Sequence, residues 1–220
     1  MAIVFESGFE TGNTSEWSST SATAPGVISS DKWVGTYSCE CDENVTQEWV
    51  RHIYATEPAI GVARVYFKVT ALEASANKGL FTCFNAPQSQ DVTFLLNENG
   101  GTFGMTARIY DGVTTYSTTQ VTGFALNTWY RVEAKTDFSG SACKVTWGTA
   151  TGNGALTTHN TDFTGGSPGA TTIDAWQFGL NGAGNNVVRI DAASIGNVAG
   201  DYPIGPTASS AASMFLLLGV

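Results

Sequence analysis

Short segments in which apolar and polar residues alternate recur along this chain, and they limit the folds that it can adopt. In residues 62–70, Val65, Phe67 and Val69 fall on one side of an extended chain and polar residues fall on the other. This period of two predicts β-strands rather than helices. The other segments of this character are residues 2–6, 26–33, 36–41, 48–54, 79–84, 92–96, 103–110, 114–121, 129–135, 142–147, 173–180 and 187–195.

Turn residues separate these segments. The Asp111-Gly112 pair lies between two strand-like segments and predicts a hairpin. About a dozen short strands joined by turns predict a sandwich or a barrel rather than parallel strands with intervening helices. Residues 70–78 form the only stretch compatible with a helix, and we expect them to be a connection. The sequence therefore predicts an all-β fold.

The charge of the chain disfavours two classes of partner. The sequence has 10 Lys and Arg against 19 Asp and Glu, which gives a formal net charge of −9. Binding to nucleic acid needs clustered basic residues, and none cluster here. Anionic membrane surfaces are disfavoured for the same reason, and no segment is long enough to cross a bilayer. We expect neither a nucleic acid nor a membrane as a partner.

The first residues have no basic region, apolar core or cleavage site, so we expect no signal peptide and synthesis in a cytoplasm. The four cysteines, Cys39, Cys41, Cys83 and Cys143, are then expected to be reduced and buried. A single C-x-C pair, as at Cys39 and Cys41, is a weak zinc signal.

The composition changes after Gly200. Residues 201–206 contain two prolines, residues 207–213 are small and polar, and residues 214–220 are apolar. We predict a domain of residues 1–200 and a C-terminal arm of residues 201–220. An apolar terminus needs cover from water, either on its own domain or on another chain, and we favour docking on a neighbouring chain. The predicted docking residues are Met214, Phe215, Leu216, Leu217 and Leu218.

Four motifs occur in an order that resembles a known superfamily. They are F-E-S-G-F-E-T-G-N-T-S-E-W at residues 5–17, G-T-Y-S at 35–38, L-N-T-W-Y-R-V-E-A at 126–134 and V-R-I-D-A-A-S-I at 188–195. The chain thereby resembles the concanavalin A-like lectin/glucanase (LamG-like) superfamily over residues 3–198. This resemblance implies a two-sheet antiparallel jelly-roll sandwich whose opening and closing strands pair.

The resemblance also implies one structural Ca²⁺ where the first and last strands meet. The corresponding ligands here are Glu10, Glu6, the Gly35 carbonyl and Asp191. The superfamily's second aspartate after Ile-Asp is Ala192 in this chain, which counts against the site. In the alternative, Glu10 caps a turn and Asp191 is a surface residue.

Catalytic motifs of this fold are incomplete. The E-x-D-x-x-E pattern of the glucanases is closest at residues 40–45, where the third acid is missing. A lyase needs a base and a cation, and Arg51, His52 and Tyr54 are the local candidates. His159 lies in a Thr/Asn-rich segment that we interpret as a loop. We predict that the protein is not an enzyme.

Sugar binding needs an aromatic ring near amide groups, and Trp33, Trp49, Tyr116 and Trp147 are the candidates. The first hypothesis for function is a bacteriophage virion structural protein, either a capsid decoration (cement) protein or a fibre-associated one. Its expected partners are the major capsid protein, tail or fibre proteins, further copies of itself, and glycans. The second hypothesis is a carbohydrate-binding module or a host-glycan-binding tail protein. The third is a polysaccharide lyase or glycoside hydrolase.

Overall fold

The computed structural model describes residues 2–44, 46–74, 77–85, 91–99, 102–166, 171–182 and 184–207. The strands in this part are β1 (Ile3–Ser7), β2 (Ser19–Thr20), β3 (Gly26–Ile28), β4 (Ser38–Asp42), β5 (Glu48–Ile53), β6 (Ile60–Ala71), β7 (Asn77–Asn85), β8 (Asp91–Asn99), β9 (Thr102–Tyr110), β10 (Thr115–Ser117), β11 (Val121–Phe124), β12 (Tyr130–Asp137), β13 (Cys143–Thr151), β14 (Thr157–Gly165), β15 (Ile173–Asn181) and β16 (Val187–Gly196). A 3-10 turn at Ala199–Asp201 follows them. None of the described residues forms a helix with the length and apolar character that a membrane crossing requires.

The strands form two antiparallel sheets. The first sheet has the order β14-β13-β12-β6-β16-β4-β3, with β1 beside β16. The second sheet has the order β10-β9-β8-β7-β15-β5-β2, with β11 beside β9. The predicted all-β jelly-roll sandwich is confirmed. The opening and closing strands pair, as Phe5 opposite Ile195 shows, and this pairing removes an edge of each strand from solvent.

The apolar sides of the two sheets meet in one core. Alternation in β6 and β12 directs Val65 and Val132 inward, where the two residues are direct partners across the strands. Trp176 and Phe178 come from β15 in the opposite sheet, and the Trp17 ring packs edge-on against Phe178. The sequence pattern of residues 62–70 therefore predicts the correct inward side of β6, because side chains on a strand point alternately to its two sides.

Two local predictions differ from the structure. The Thr/Asn-rich segment around His159 is strand β14 and not a loop. The strand β14 lies at the edge of the first sheet and pairs only with β13. Because it is largely exposed there, its sequence lacks the apolar residues that mark a buried strand. The predicted strand 114–121 divides into β10 and β11, which both pair with β9. The Asp111-Gly112 hairpin is present, with Gly112 at φ +93°.

The four cysteines are free thiols in the core. Burial raises the pKa of the Cys39 and Cys83 thiols well above the ordinary value, and raises that of Cys143 to about 12. They are packing residues in the structure, since a neutral thiol behaves as a small apolar group.

The first residues of the predicted C-terminal arm lie on the domain itself. Asp201 is fully buried and accepts a hydrogen bond from the Ala2 amide at 2.7 Å. The Thr207 amide donates to the Tyr66 hydroxyl. The folded domain therefore extends to Thr207 at least, beyond the predicted boundary at residue 200. The docking residues Met214, Phe215, Leu216, Leu217 and Leu218 lie outside the described residues, and their docking on a neighbouring chain stays a prediction.

Candidate functional site

A line of polar side chains crosses the outer face of the second sheet at one register. We call it the polar row. Each member pairs directly with the next across neighbouring strands, and their core neighbours Val50, Val92 and Ile109 show that the row faces away from the core. In spatial order the members are Ser19, Arg51, Gln177, Thr82, Thr93, Arg108 and Ser117.

Hydrogen bonds connect the middle of the polar row. Arg51 donates to Gln177 Oε1 from Nε at 3.1 Å and from Nη2 at 2.5 Å. Gln177 Nε2 donates to Asn181 Oδ1, and Asn181 Nδ2 donates to Thr82 Oγ1 at 3.4 Å. The Thr82 and Thr93 hydroxyls are 3.2 Å apart. Gln177, Thr82 and Thr93 are buried, so their orientations are fixed by these contacts.

A carboxylate and a guanidinium end this network on β8 and β9. Asp91 Oδ1 accepts a hydrogen bond from Thr93 Oγ1 at 2.7 Å and lies 3.7 Å from Arg108 Nη2. Arg108 Nε is buried and makes no hydrogen bond within the described part of the chain. The Asp91–Arg108 pair thus offers an acceptor and donors to a ligand at one place.

A cleft of about 180 Å³ opens above the row. Gly79 contributes to this space, because a Cβ there would lie 2.9 Å from Asn181 Nδ2 and 3.3 Å from Thr93 Cγ2. The cleft is lined by Asn77, Gly79, Thr82, Phe84, Asp91, Thr93, Leu95, Arg108 and Asn181.

Aromatic rings stand beside the polar groups on this face. The Arg51 guanidinium lies between Trp49 and Phe84, 4.7 Å and 4.8 Å from the ring centroids. Burial lowers the pKa of Arg51 from its ordinary value. Phe84 also lines the cleft. A ring next to amides, hydroxyls and one ion pair can stack on the apolar face of a sugar and bond its hydroxyls.

The three residues considered for lyase chemistry do not form one site. Arg51 belongs to the polar row, whereas His52 stacks on Phe5 at 4.4 Å between ring centroids. Tyr54 is buried, where its hydroxyl donates to the Gly196 carbonyl at 2.9 Å and accepts from Trp176 Nε1. Burial raises the Tyr54 pKa and lowers that of His52.

Asp191 and Glu10, two of the predicted calcium ligands, accept hydrogen bonds from backbone amides of the same loop, residues 33–37. Asp191 Oδ2 accepts hydrogen bonds from the Trp33 and Val34 amides at 2.8 and 3.0 Å. Both carboxylate oxygens of Glu10 accept from the Thr36 amide at 3.0 Å. Asp191 is fully buried, so its alternative assignment to the surface is wrong. Burial raises its pKa to about 6, although hydrogen bonds from backbone amides oppose that shift.

The other two predicted ligands differ in position. Gly35 lies inside the clamped loop at φ +73°, and a Cβ there would collide with the Glu10 carboxylate. Glu6 instead accepts a hydrogen bond from Ser194 Oγ at 3.1 Å.

Among the described residues, no group of three or more Asp, Glu, His or Cys side chains could hold a metal ion. Glu10 and Asp191 accept hydrogen bonds from backbone amides of the loop at residues 33–37. Calcium binding stays a prediction, and the melting temperature with added calcium and with a chelator measures it. A bound ion raises the melting temperature by mass action, and equal values contradict the site.

The aromatic candidates for sugar binding are dispersed. Trp147 is in the core, and Tyr116 packs against Gly165. Trp33 stacks on Tyr66 at 5.0 Å on the outer face of the first sheet. Only Trp49 lies on the face of the polar row.

A second cleft, of about 410 Å³, is bordered by β11, β13 and β14. Its titratable side chains among the described residues are Tyr130 and His159. The Tyr130 hydroxyl accepts from the Ala125 amide, and His159 Nε2 lies 2.6 Å from Thr149 Oγ1. Both of these titratable groups therefore have a polar partner within the domain, and the cleft holds no carboxylate or cationic side chain among the described residues.

No protein-family model matches this sequence, and no curated protein matches it. Solved structures do match. The cellulose-induced protein Cip1 has 12% identity and a TM-score of 0.60, covering 88% of this chain and 97% of its own. The catalytic domain of the glycoside hydrolase family 131 protein from Coprinopsis cinerea has 14% identity and a TM-score of 0.54, covering 96% and 100%.

A third similar structure is the CBM2 module of the evolved Dit protein of Lactobacillus casei BL23 phage J-1. It has 12% identity and a TM-score of 0.51, covering 90% of this chain and 96% of the module. At identities this low, what the chain shares with these three proteins is the jelly-roll fold.

Proposed function

We propose that this domain binds a carbohydrate on the outer face of its second sheet, at the cleft above the polar row. The observation behind the proposal is the hydrogen-bonded line from Arg51 to Asp91, flanked by the Phe84 and Trp49 rings. The amide and hydroxyl groups are held in place before a ligand arrives, which lowers the entropy that binding costs.

Similar structures support the same class of ligand. They are a cellulose-induced protein, the catalytic domain of a glycoside hydrolase and a CBM2 module. The fold alone does not assign a ligand, so the proposal depends on the polar row and its rings.

A glycan array followed by calorimetric titration tests the proposal. Phe84→Ala removes the ring that lines the cleft, and we expect it to weaken binding by about tenfold or more. The matched control is Trp33→Ala, which removes an aromatic ring from the first sheet's outer face and should leave affinity unchanged. Two outcomes would contradict binding on the outer face of the second sheet. One is an equal loss of affinity in both variants, and the other is that the protein binds no glycan on the array.

The proposed activity is binding without cleavage. Asp91 is the one carboxylate among the described residues that line the cleft, and hydrolysis by the usual two-carboxylate mechanism needs a pair. Incubation of the protein with each bound polysaccharide, followed by assays for reducing ends and for unsaturated products, tests this. Release of either product would make the protein an enzyme.

A second candidate places this binding domain on a bacteriophage particle as a structural protein. The observation that favours it is the match to the phage J-1 module over 90% of this chain. Its partners would be capsid, tail or fibre proteins, and residues 214–218 would dock on them. Mass spectrometry of purified particles from a phage that encodes the chain tests the location, and absence of the chain from them contradicts it. Loss of attachment on removal of residues 208–220 would support the docking.

A further inference from the structure

The last described residues lie lengthwise over strands β6 and β12 on the outer face of the first sheet. Gly205 is bonded to the directly paired residues Arg64 and Glu133. Two residues further on, Thr207 is bonded to Tyr66, which pairs with Arg131 at the next outward position. Two bonded residues of the segment, two positions apart, thus match two outward positions of β6 that are also two positions apart.

Side chains of the sheet bind the backbone of this segment. The Gly205 amide donates to both Glu133 carboxylate oxygens at 3.2 and 3.1 Å, and its carbonyl accepts from Arg64 Nη1 at 2.9 Å. The Thr207 amide donates to the Tyr66 hydroxyl at 3.1 Å, and its carbonyl accepts from Asn153 Nδ2 at 3.3 Å. All five hydrogen bonds use the main chain of the segment, so they do not depend on which side chains the segment carries.

The binding side chains are themselves buried and held from below. Glu133 and Tyr66 are fully buried, and Arg64 is 5% exposed. Arg64 Nη2 also donates to the Ala192 carbonyl, and Tyr66 donates to Asn153 Oδ1. These groups therefore form a preorganised groove, which we call the β6–β12 groove.

The connection that leads to this groove is anchored at the buried Asp201 and exposed just before it. Val198 is 45% exposed, and a Cβ added to Gly200 would meet nothing within 4 Å. Gly205 has φ +86° with open space around it, a conformation that favours glycine.

We propose that the β6–β12 groove is a binding site for the main chain of a peptide segment, filled here by residues 202–207 of the same chain. The partner that it fits is the same segment of a second copy, which can enter when the chain's own segment has left. The contacts are identical in the two cases, and the chain's own segment competes through its high effective concentration.

The test uses the full chain with Gly205→Pro, which removes the amide donor and cannot adopt the positive φ. We expect hydrogen exchange at the Thr207 amide to accelerate by about tenfold or more. Pro206→Ala, at an exposed position, is the matched control and should leave that exchange rate unchanged. Tyr66→Phe keeps the ring on Trp33 and removes only the hydroxyl, so it should accelerate exchange at Thr207 without unfolding the sheet.

A fluorescent peptide of residues 201–207 then measures binding by anisotropy. It should bind the Gly205→Pro protein saturably and the unaltered protein more weakly, while a peptide carrying the same proline should bind neither. Three outcomes would overturn the proposal. They are unchanged Thr207 exchange in the Gly205→Pro protein, no peptide binding once the segment is released, and equal binding of the two peptides.

Discussion

The two sheets present different polar surfaces outward, although both are built from antiparallel strands. On the first sheet, Arg64, Arg131 and Glu133 are buried charges that lie beneath the chain's own terminal segment. On the second sheet, the centre of the polar row is uncharged, and Gln177 and Thr82 are linked to each other through Asn181.

The polar groups on the two outer faces are satisfied in different ways. A buried charge is stable only when it is paired and hydrogen-bonded, so the first face depends on Glu133 and on the covering segment. A network of amides and hydroxyls satisfies itself and leaves its remaining donors and acceptors for a ligand. This contrast agrees with the two proposals, a peptide main chain as the ligand of the first face and a carbohydrate as the ligand of the second.

The largest expected effect comes from Glu133→Ala. It breaks the buried Arg131–Glu133 ion pair and leaves Arg131 without its carboxylate, and we expect the free energy of unfolding to fall by about 3–5 kcal/mol. Asp91→Ala, which removes a partly exposed partner of Arg108 on the other face, should cost about 0–1 kcal/mol. Urea denaturation measures both. If both variants lost the same free energy of unfolding, the buried charges of the first sheet would contribute no more to stability than the partly exposed ion pair of the second.

Gly79→Ala should act on binding rather than on stability. The added methyl group enters the cleft beside Asn181 and Thr93, and we expect glycan affinity to fall about tenfold, which corresponds to about 1.4 kcal/mol. Gly200→Ala adds the same group in open space and serves as the control. Isothermal titration gives the affinities. If Gly79→Ala binds like the unaltered protein, the ligand does not occupy this cleft.

A double-mutant cycle on Thr82 and Thr93 examines the polar row itself. Each single change to Val should destabilise by about 1 kcal/mol, because the other hydroxyl loses a partner. The double variant should cost less than the sum, with a coupling of about 0.5 kcal/mol or more. Thermal denaturation supplies the four values, and strict additivity would mean that the two hydroxyls do not interact.

The smallest effect on global stability is expected for Gly205→Ala. A side chain at φ +86° costs about 1 kcal/mol locally, which should speed amide exchange in residues 202–207. Global unfolding should be unchanged, because a terminal segment opens without the core. Exchange and melting measured together check this. A large drop in melting temperature would mean that the segment folds as part of the core.

Much of the fold follows from the sequence because alternation reports which side of a strand is buried. It predicts the correct inward side of β6, and the Asp111-Gly112 pair predicts the β9–β10 hairpin. Alternation fails at an edge, where β14 needs no continuous apolar side and was interpreted as a loop.

The candidate site was not predictable in the same way. Only Arg51 and Trp49 were named from the sequence, and they were assigned to different hypotheses. Gln177 and Thr82 become neighbours of Arg51 only through strand register, which depends on bulges and long connections. A polar residue in the middle of an apolar strand, such as Gln177 between Trp176 and Phe178, is the one local signal that was present.

The contact between the Ala2 amide and the Asp201 carboxylate brings together positions 199 residues apart in the chain. A contact between such distant positions closes a loop that contains nearly the whole domain, and the entropy cost of closing a loop grows only with the logarithm of its length. One buried carboxylate can therefore hold the first strand and the start of the covering segment in place together.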